Sequence, residues 1–149
     1  MFNPSLVEVR NFFFNIWDKA KHTQELTDLE KIAYSIILEH PEYHYILEDR
    51  VQYLEFEWTP EMGQTNPFLH LSMHLTILEQ LSIDQPAGVK QFYQELCNKE
   101  SAPHQAQHAL MECVGEMLWQ ANANATNLDV NVYFNCIKYK LGKSNVSLL

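Results

Sequence analysis

The stretch that decides the fold is Asn66-Pro67-Phe68-Leu69-His70-Leu71-Ser72-Met73-His74-Leu75-Thr76-Ile77-Leu78-Glu79-Gln80-Leu81-Ser82. Asn before Pro is a helix start, because Asn caps free backbone N–H groups and Pro fits the first helical position. With His70 at 0° and about 100° per residue, Ile77, Leu81, His74, Leu78 and Leu71 fall between about 340° and 100°. Ser72, Thr76, Glu79 and Gln80 fill the opposite side, from about 180° to 280°. The segment is an amphipathic helix, and two histidines stand within its apolar arc.

Helical spacing continues in both directions. Asn3-Pro4 starts a first helix with Leu6, Val9, Phe13, Ile16 and Trp17 as its apolar face. Thr27-Asp28-Leu29-Glu30 is a capping box, followed by Leu29, Ile32, Ala33, Ile36 and Ile37, and Pro41 stops that helix near His40. Residues 42–50 suit one short helix. Tyr53-Leu54-Glu55-Phe56-Glu57-Trp58 alternates with period two, but no second strand candidate pairs with it, so it reads as an extended connector. Asp84-Gln85-Pro86 opens a fourth long helix with Val89, Phe92, Tyr93 and Leu96 inward. Ser101-Ala102-Pro103 opens a fifth, running to about Asn122, and an Asn-rich loop follows. A last helix carries Val130, Phe134, Ile137 and Leu141. The expected fold is an all-α, single-domain helical bundle of about six helices with short connections, over residues 1–141, with a loose tail at 142–149.

Composition bounds the function. A hydrophobic fraction of 46% over 149 residues is enough for a core, and four Gly and six Pro leave room for long helices. The net charge of −9, with ten scattered Lys and Arg, argues against nucleic acid and against anionic membrane surfaces. No apolar run approaches the ~20 residues of a membrane-spanning helix. The N-terminus lacks a basic region followed by an apolar one, so the expected location is the cytoplasm. Cys97, Cys113 and Cys136 are odd in number and far apart, which argues against a disulfide framework and a cysteine zinc knuckle. No phosphate loop or nucleophile elbow occurs, so no nucleotide or organic cofactor is expected and no catalytic residue is singled out. A protein partner or a homo-oligomer stays open.

The histidines carry the sharpest hypothesis. Six of the seven fall in three pairs at i, i+4: His40 and His44, His70 and His74, His104 and His108. Residues four apart lie one above the other on a helix, so two imidazoles can share a metal ion. His40 extends the core face of its helix. His104, His108, Glu112 and Glu116 run along one edge of theirs, drifting toward solvent, with His108 and Glu112 able to serve as ligands. The expected site holds a first-row ion (Zn, Fe, Mn or Ni), with His70 and His74 as primary ligands. His108, His40 and either Glu112 or His104 complete the set. An open coordination position would allow hydrolytic or redox chemistry. The alternative is a non-catalytic interaction module in which each histidine is an internal hydrogen-bond partner and an aromatic patch near Phe56 and Trp58 is the binding surface. A ferritin-like di-iron centre would need Glu-x-x-His, which is absent.

The run from Gln64-Thr65-Asn66-Pro67-Phe68-Leu69-His70 through His74 to Glu79-Gln80-Leu81-Ser82-Ile83-Asp84-Gln85-Pro86 resembles a bacterial family known as domain of unknown function 1841. His40-Pro41-Glu42-Tyr43-His44, Gln107-His108, Met111-Glu112-Cys113 and Gly115-Glu116-Met117-Leu118-Trp119 are similar to its other blocks. The likeness spans about residues 1–140. It implies a bacterial, cytoplasmic protein and brings no catalytic or ligating residues with it.

Overall fold

The computed structural model describes residues 4–142. Its described residues form eight α-helices and two 3₁₀ turns, with no strand among them. The α-helices are α1 (Pro4–Lys21), α2 (Asp28–Leu38), α3 (His44–Leu47), α4 (Arg50–Tyr53), α5 (Pro67–Ile83), α6 (Val89–Glu100), α7 (Pro103–Asn124) and α8 (Val130–Lys140). Two of them, α3 and α4, are single turns, which leaves six of the length the periodicity implies. Asn3 and the expected tail beyond Gly142 lie outside the described residues.

The chain divides into two compact units, Met1–Leu75 and Thr76–Leu149. In the first, α1, α2 and α3 bury Phe13, Phe14, Ile16, Ala33, Ile36, Ile37, Ile46 and Leu47, with Phe68 and Leu71 from the first half of α5. The buried stripes are rotated from the expected ones, because Leu6, Val9, Leu29 and Ile32 are exposed. Arg10 takes a buried place on α1 instead, at 7% exposure. Its guanidinium donates to the carbonyls of Tyr53, Leu54 and Phe56 at 3.2, 3.0 and 2.8 Å. It also lies 5.1 Å over the Trp58 ring and 5.3 Å over Phe68. Burial pushes its pKa down from the usual arginine value, and nearby Glu57 opposes that. This corrects the expected extended connector: Tyr53 closes α4, Leu54 and Glu55 form a turn, and only its part from Phe56 on is free of helix and turn, with one buried cation gathering the carbonyls of Tyr53, Leu54 and Phe56. Phe56 and Trp58 are half-buried in that cluster, with ring centroids 4.7 Å apart, and form no exposed patch.

The α2 start is the expected capping box. Thr27 Oγ1 accepts from the Glu30 N–H at 3.2 Å and the Glu30 carboxylate accepts from the Thr27 N–H at 2.9 Å. Glu30 also takes the Lys19 ammonium at 2.9 Å, joining α1 to α2. These contacts hold the Glu30 carboxyl below the usual range, the Thr27 N–H foremost and Lys19 next.

In the second unit, α6, α7 and α8 bury Ile77, Val89, Leu96, Leu110, Cys113, Tyr133 and Ile137. Tyr133 donates its hydroxyl to the Gln80 side-chain oxygen at 2.8 Å, and its burial raises its pKa above the usual phenol value. α6 starts three residues after Pro86, where the Asp84 carboxylate accepts from the N–H of Gly88, just before the helix, and from that of Lys90 in its first turn. Cys113 on α7 and Cys136 on α8 form a disulfide with Cα atoms 5.5 Å apart. This corrects the expectation that no disulfide forms. The two cysteines are 23 residues apart, but the turn between α7 and α8 folds them face to face.

Candidate metal centre

His40 follows the end of α2, where the chain breaks before Pro41, and it is 2% exposed. Its Nδ1 lies 2.8 Å from the carbonyl oxygen of Ile36. A carbonyl can only accept, so Nδ1 carries the proton and a neutral ring keeps its lone pair on Nε2. Metal-ligating histidines are commonly oriented in this way, by donating the other ring N–H to a backbone carbonyl.

The first half of α5 brings two more imidazoles to His40. His74 is fully buried and its ring centroid is 4.7 Å from that of His40. His70 is half-buried, 4.9 Å from His40 and 4.9 Å from His74. Both α5 histidines face inward as the helical wheel expects, His74 fully and His70 by half, and the end of α2 supplies their neighbour His40. Tyr43 covers this group from outside. Its ring stacks on His40 at 5.5 Å and meets His70 edge-on at 6.0 Å. Burial raises the Tyr43 phenol pKa, with the nearby Glu42 carboxylate adding to it.

The i, i+4 pairing of His40 with His44 does not survive folding. Between them the chain makes a 3₁₀ turn at Pro41–Tyr43, which turns His44 away. His44 contacts the Ile37 carbonyl through Nε2 at 2.9 Å and packs on Trp17 at 4.6 Å, a structural role. His22 sits exposed at the end of α1, with Nδ1 2.8 Å from the Asp18 carbonyl.

In the second unit, His104 and His108 lie in the first half of α7, both half-buried, with ring centroids 4.3 Å apart. Glu112, one turn further on, is exposed, and its carboxylate takes the Lys140 ammonium at 2.6 Å. His108, Glu112, Lys99 and Lys140 line an open cleft of about 560 Å³. The structure therefore groups the core histidines by unit: His40, His70 and His74 in the first, His104 and His108 in the second. Imidazole clusters of this kind suit a metal ion.

Sequence reasoning missed Arg10 and Tyr43. Arg10 had a signal: it stands three residues before Phe13 and four before Phe14, where a helix places it beside their buried face. Tyr43 had none, since its place depends on the 3₁₀ turn.

No helix among the described residues is long and apolar enough to cross a membrane. The model of a family described as a domain of unknown function (DUF1841) matches residues 5–139. No curated protein and no solved structure matches the chain.

Proposed function

We propose that this chain, which belongs to the family described as domain of unknown function 1841, binds one first-row transition-metal ion through His40, His70 and His74. The observation that carries the reading is that three imidazole rings gather inside the first unit, with centroids 4.7, 4.9 and 4.9 Å apart and with His40 and His74 buried. A tetrahedral ion with metal–nitrogen bonds of about 2.0–2.1 Å needs nitrogens roughly 3.3 Å apart. The His40 tautomer favours the reading, because its lone pair is on Nε2.

The donor set selects among ions. Neutral imidazoles suit Zn, Fe, Ni or Cu, whereas Mn prefers carboxylate oxygen. Glu112, engaged by Lys140, stays outside the ligand set. His70 and His74, one turn apart on α5, are the primary ligands, and His40 joins them from the end of α2. Three protein ligands leave one tetrahedral position for water, as catalytic zinc sites do. The net charge of −9 favours cation entry.

The test is cobalt titration of chelator-treated protein. Visible d–d absorption should saturate at one equivalent and be displaced by zinc. His70→Ala and His74→Ala should each abolish it, while His22→Ala should not. Absorption that never saturates, or that survives both core substitutions, would overturn the reading.

A further inference from the structure

A second pocket opens within the first unit, on the outer side of Tyr43. It has a volume of about 310 Å³, at the small end for ligand sites, and Glu42, Tyr43, Tyr45, Trp58, Gln64 and Thr65 are among its lining residues. Three of these are aromatic, one is a carboxylate, and no lysine or arginine lines it. Aromatic faces are electron-rich and attract cations, most strongly where water is partly excluded. We propose that this pocket binds a small organic cation, an alkylated or quaternary ammonium group.

Each wall has a share in that recognition. Tyr45 is 60% exposed, and its ring meets Tyr53 edge-on at 5.9 Å. Tyr43 is fixed by His40 stacked at 5.5 Å. Trp58 already receives the Arg10 guanidinium at 5.1 Å and stacks near Tyr53 at 6.0 Å. The two tyrosines therefore carry most of the cation-binding surface, and the indole closes one side. Glu42 supplies the one full negative charge. Gln64 and Thr65 offer amide and hydroxyl groups to a polar arm of the ligand. A quaternary ammonium fits such walls better than a metal ion, since it forms no coordinate bonds and sheds water readily. The net charge of −9 enriches cations at this surface over anions.

This pocket contains none of the proposed metal ligands, although its wall Tyr43 stacks on His40, and its test uses no metal. The full chain is titrated with choline, benzyltrimethylammonium and trimethyl-lysine, and with 3,3-dimethylbutan-1-ol, the uncharged isostere of choline. Binding is read by NMR at the three indole N–H resonances. At least one cation should shift the Trp58 indole saturably while Trp17 and Trp119 stay in place. The uncharged isostere should bind roughly fivefold more weakly or worse, the ratio expected for one cation–aromatic contact. Tyr45→Ala and Glu42→Gln change exposed residues, so the fold should hold, and each should weaken cation binding several-fold. Equal binding of cation and isostere, binding untouched by both substitutions, or no saturable shift with any of the three cations would overturn the proposal.

Discussion

His74→Ala separates a metal ligand from a structural core histidine. His74 is fully buried, with His40 at 4.7 Å and His70 at 4.9 Å. Removing the ring leaves a cavity and strands former partners, which costs about 2–4 kcal/mol whether or not metal binds. That loss alone decides nothing. The deciding quantity is a difference of differences. A ligand that binds only the folded chain stabilises it by about 2.7 kcal/mol when free ligand is a hundredfold above its dissociation constant. Urea unfolding is measured for the parent and for His74→Ala, each with excess zinc and with chelator. The parent should gain about 2.7 kcal/mol with zinc, and the variant close to none. The cavity cost appears in both variant measurements and cancels. A parent whose midpoint ignores zinc, or a variant that keeps the parent's gain, would refute the reasoning.

Four further outcomes follow from the packing. Cys136→Ala should cost about 3 kcal/mol, from the chain entropy of a loop spanning 23 residues, and the denatured, unreduced parent should show one reactive thiol, at Cys97; three thiols would contradict the bond. Arg10→Met should cost about 3–5 kcal/mol by calorimetry, since it leaves three carbonyls without their buried cation; a near-neutral change would show that the connector finds other partners. Thr27→Ala should cost about 1 kcal/mol as a lost cap. The Glu30 carboxyl is depressed in the folded state, so its charge stabilises the fold above the ordinary carboxylate pKa, and that share is lost as pH falls through the folded value. Glu30→Gln should therefore be less stable than the parent at pH 7, and the gap should close in acid; a gap constant with pH would contradict the assignment.

The helices were legible because local signals place them. Pro67 and Pro103 open α5 and α7, and Thr27 with Glu30 caps α2. The apolar arc of α5 put His70 and His74 toward the core, and the end of α2 put His40 there too. Tertiary placement was not legible. The Cys113–Cys136 bond depends on how α7 and α8 turn back on one another. His44 left its i, i+4 partner because Pro41 breaks the helix into a 3₁₀ turn. Arg10 was hidden because charge reads as surface, and only three converging carbonyls make its burial tolerable. The exclusion of Glu112 rests on Lys140, 28 residues away.

The most direct test of the metal site is elemental analysis of untagged protein purified without added metal, repeated after exposure to zinc, iron, nickel and copper followed by desalting. The account predicts one of these ions at close to one per chain in at least one preparation, lost on acidification because ligating imidazoles must be deprotonated. Protein that carries no first-row metal as purified, and retains none after exposure, would contradict it.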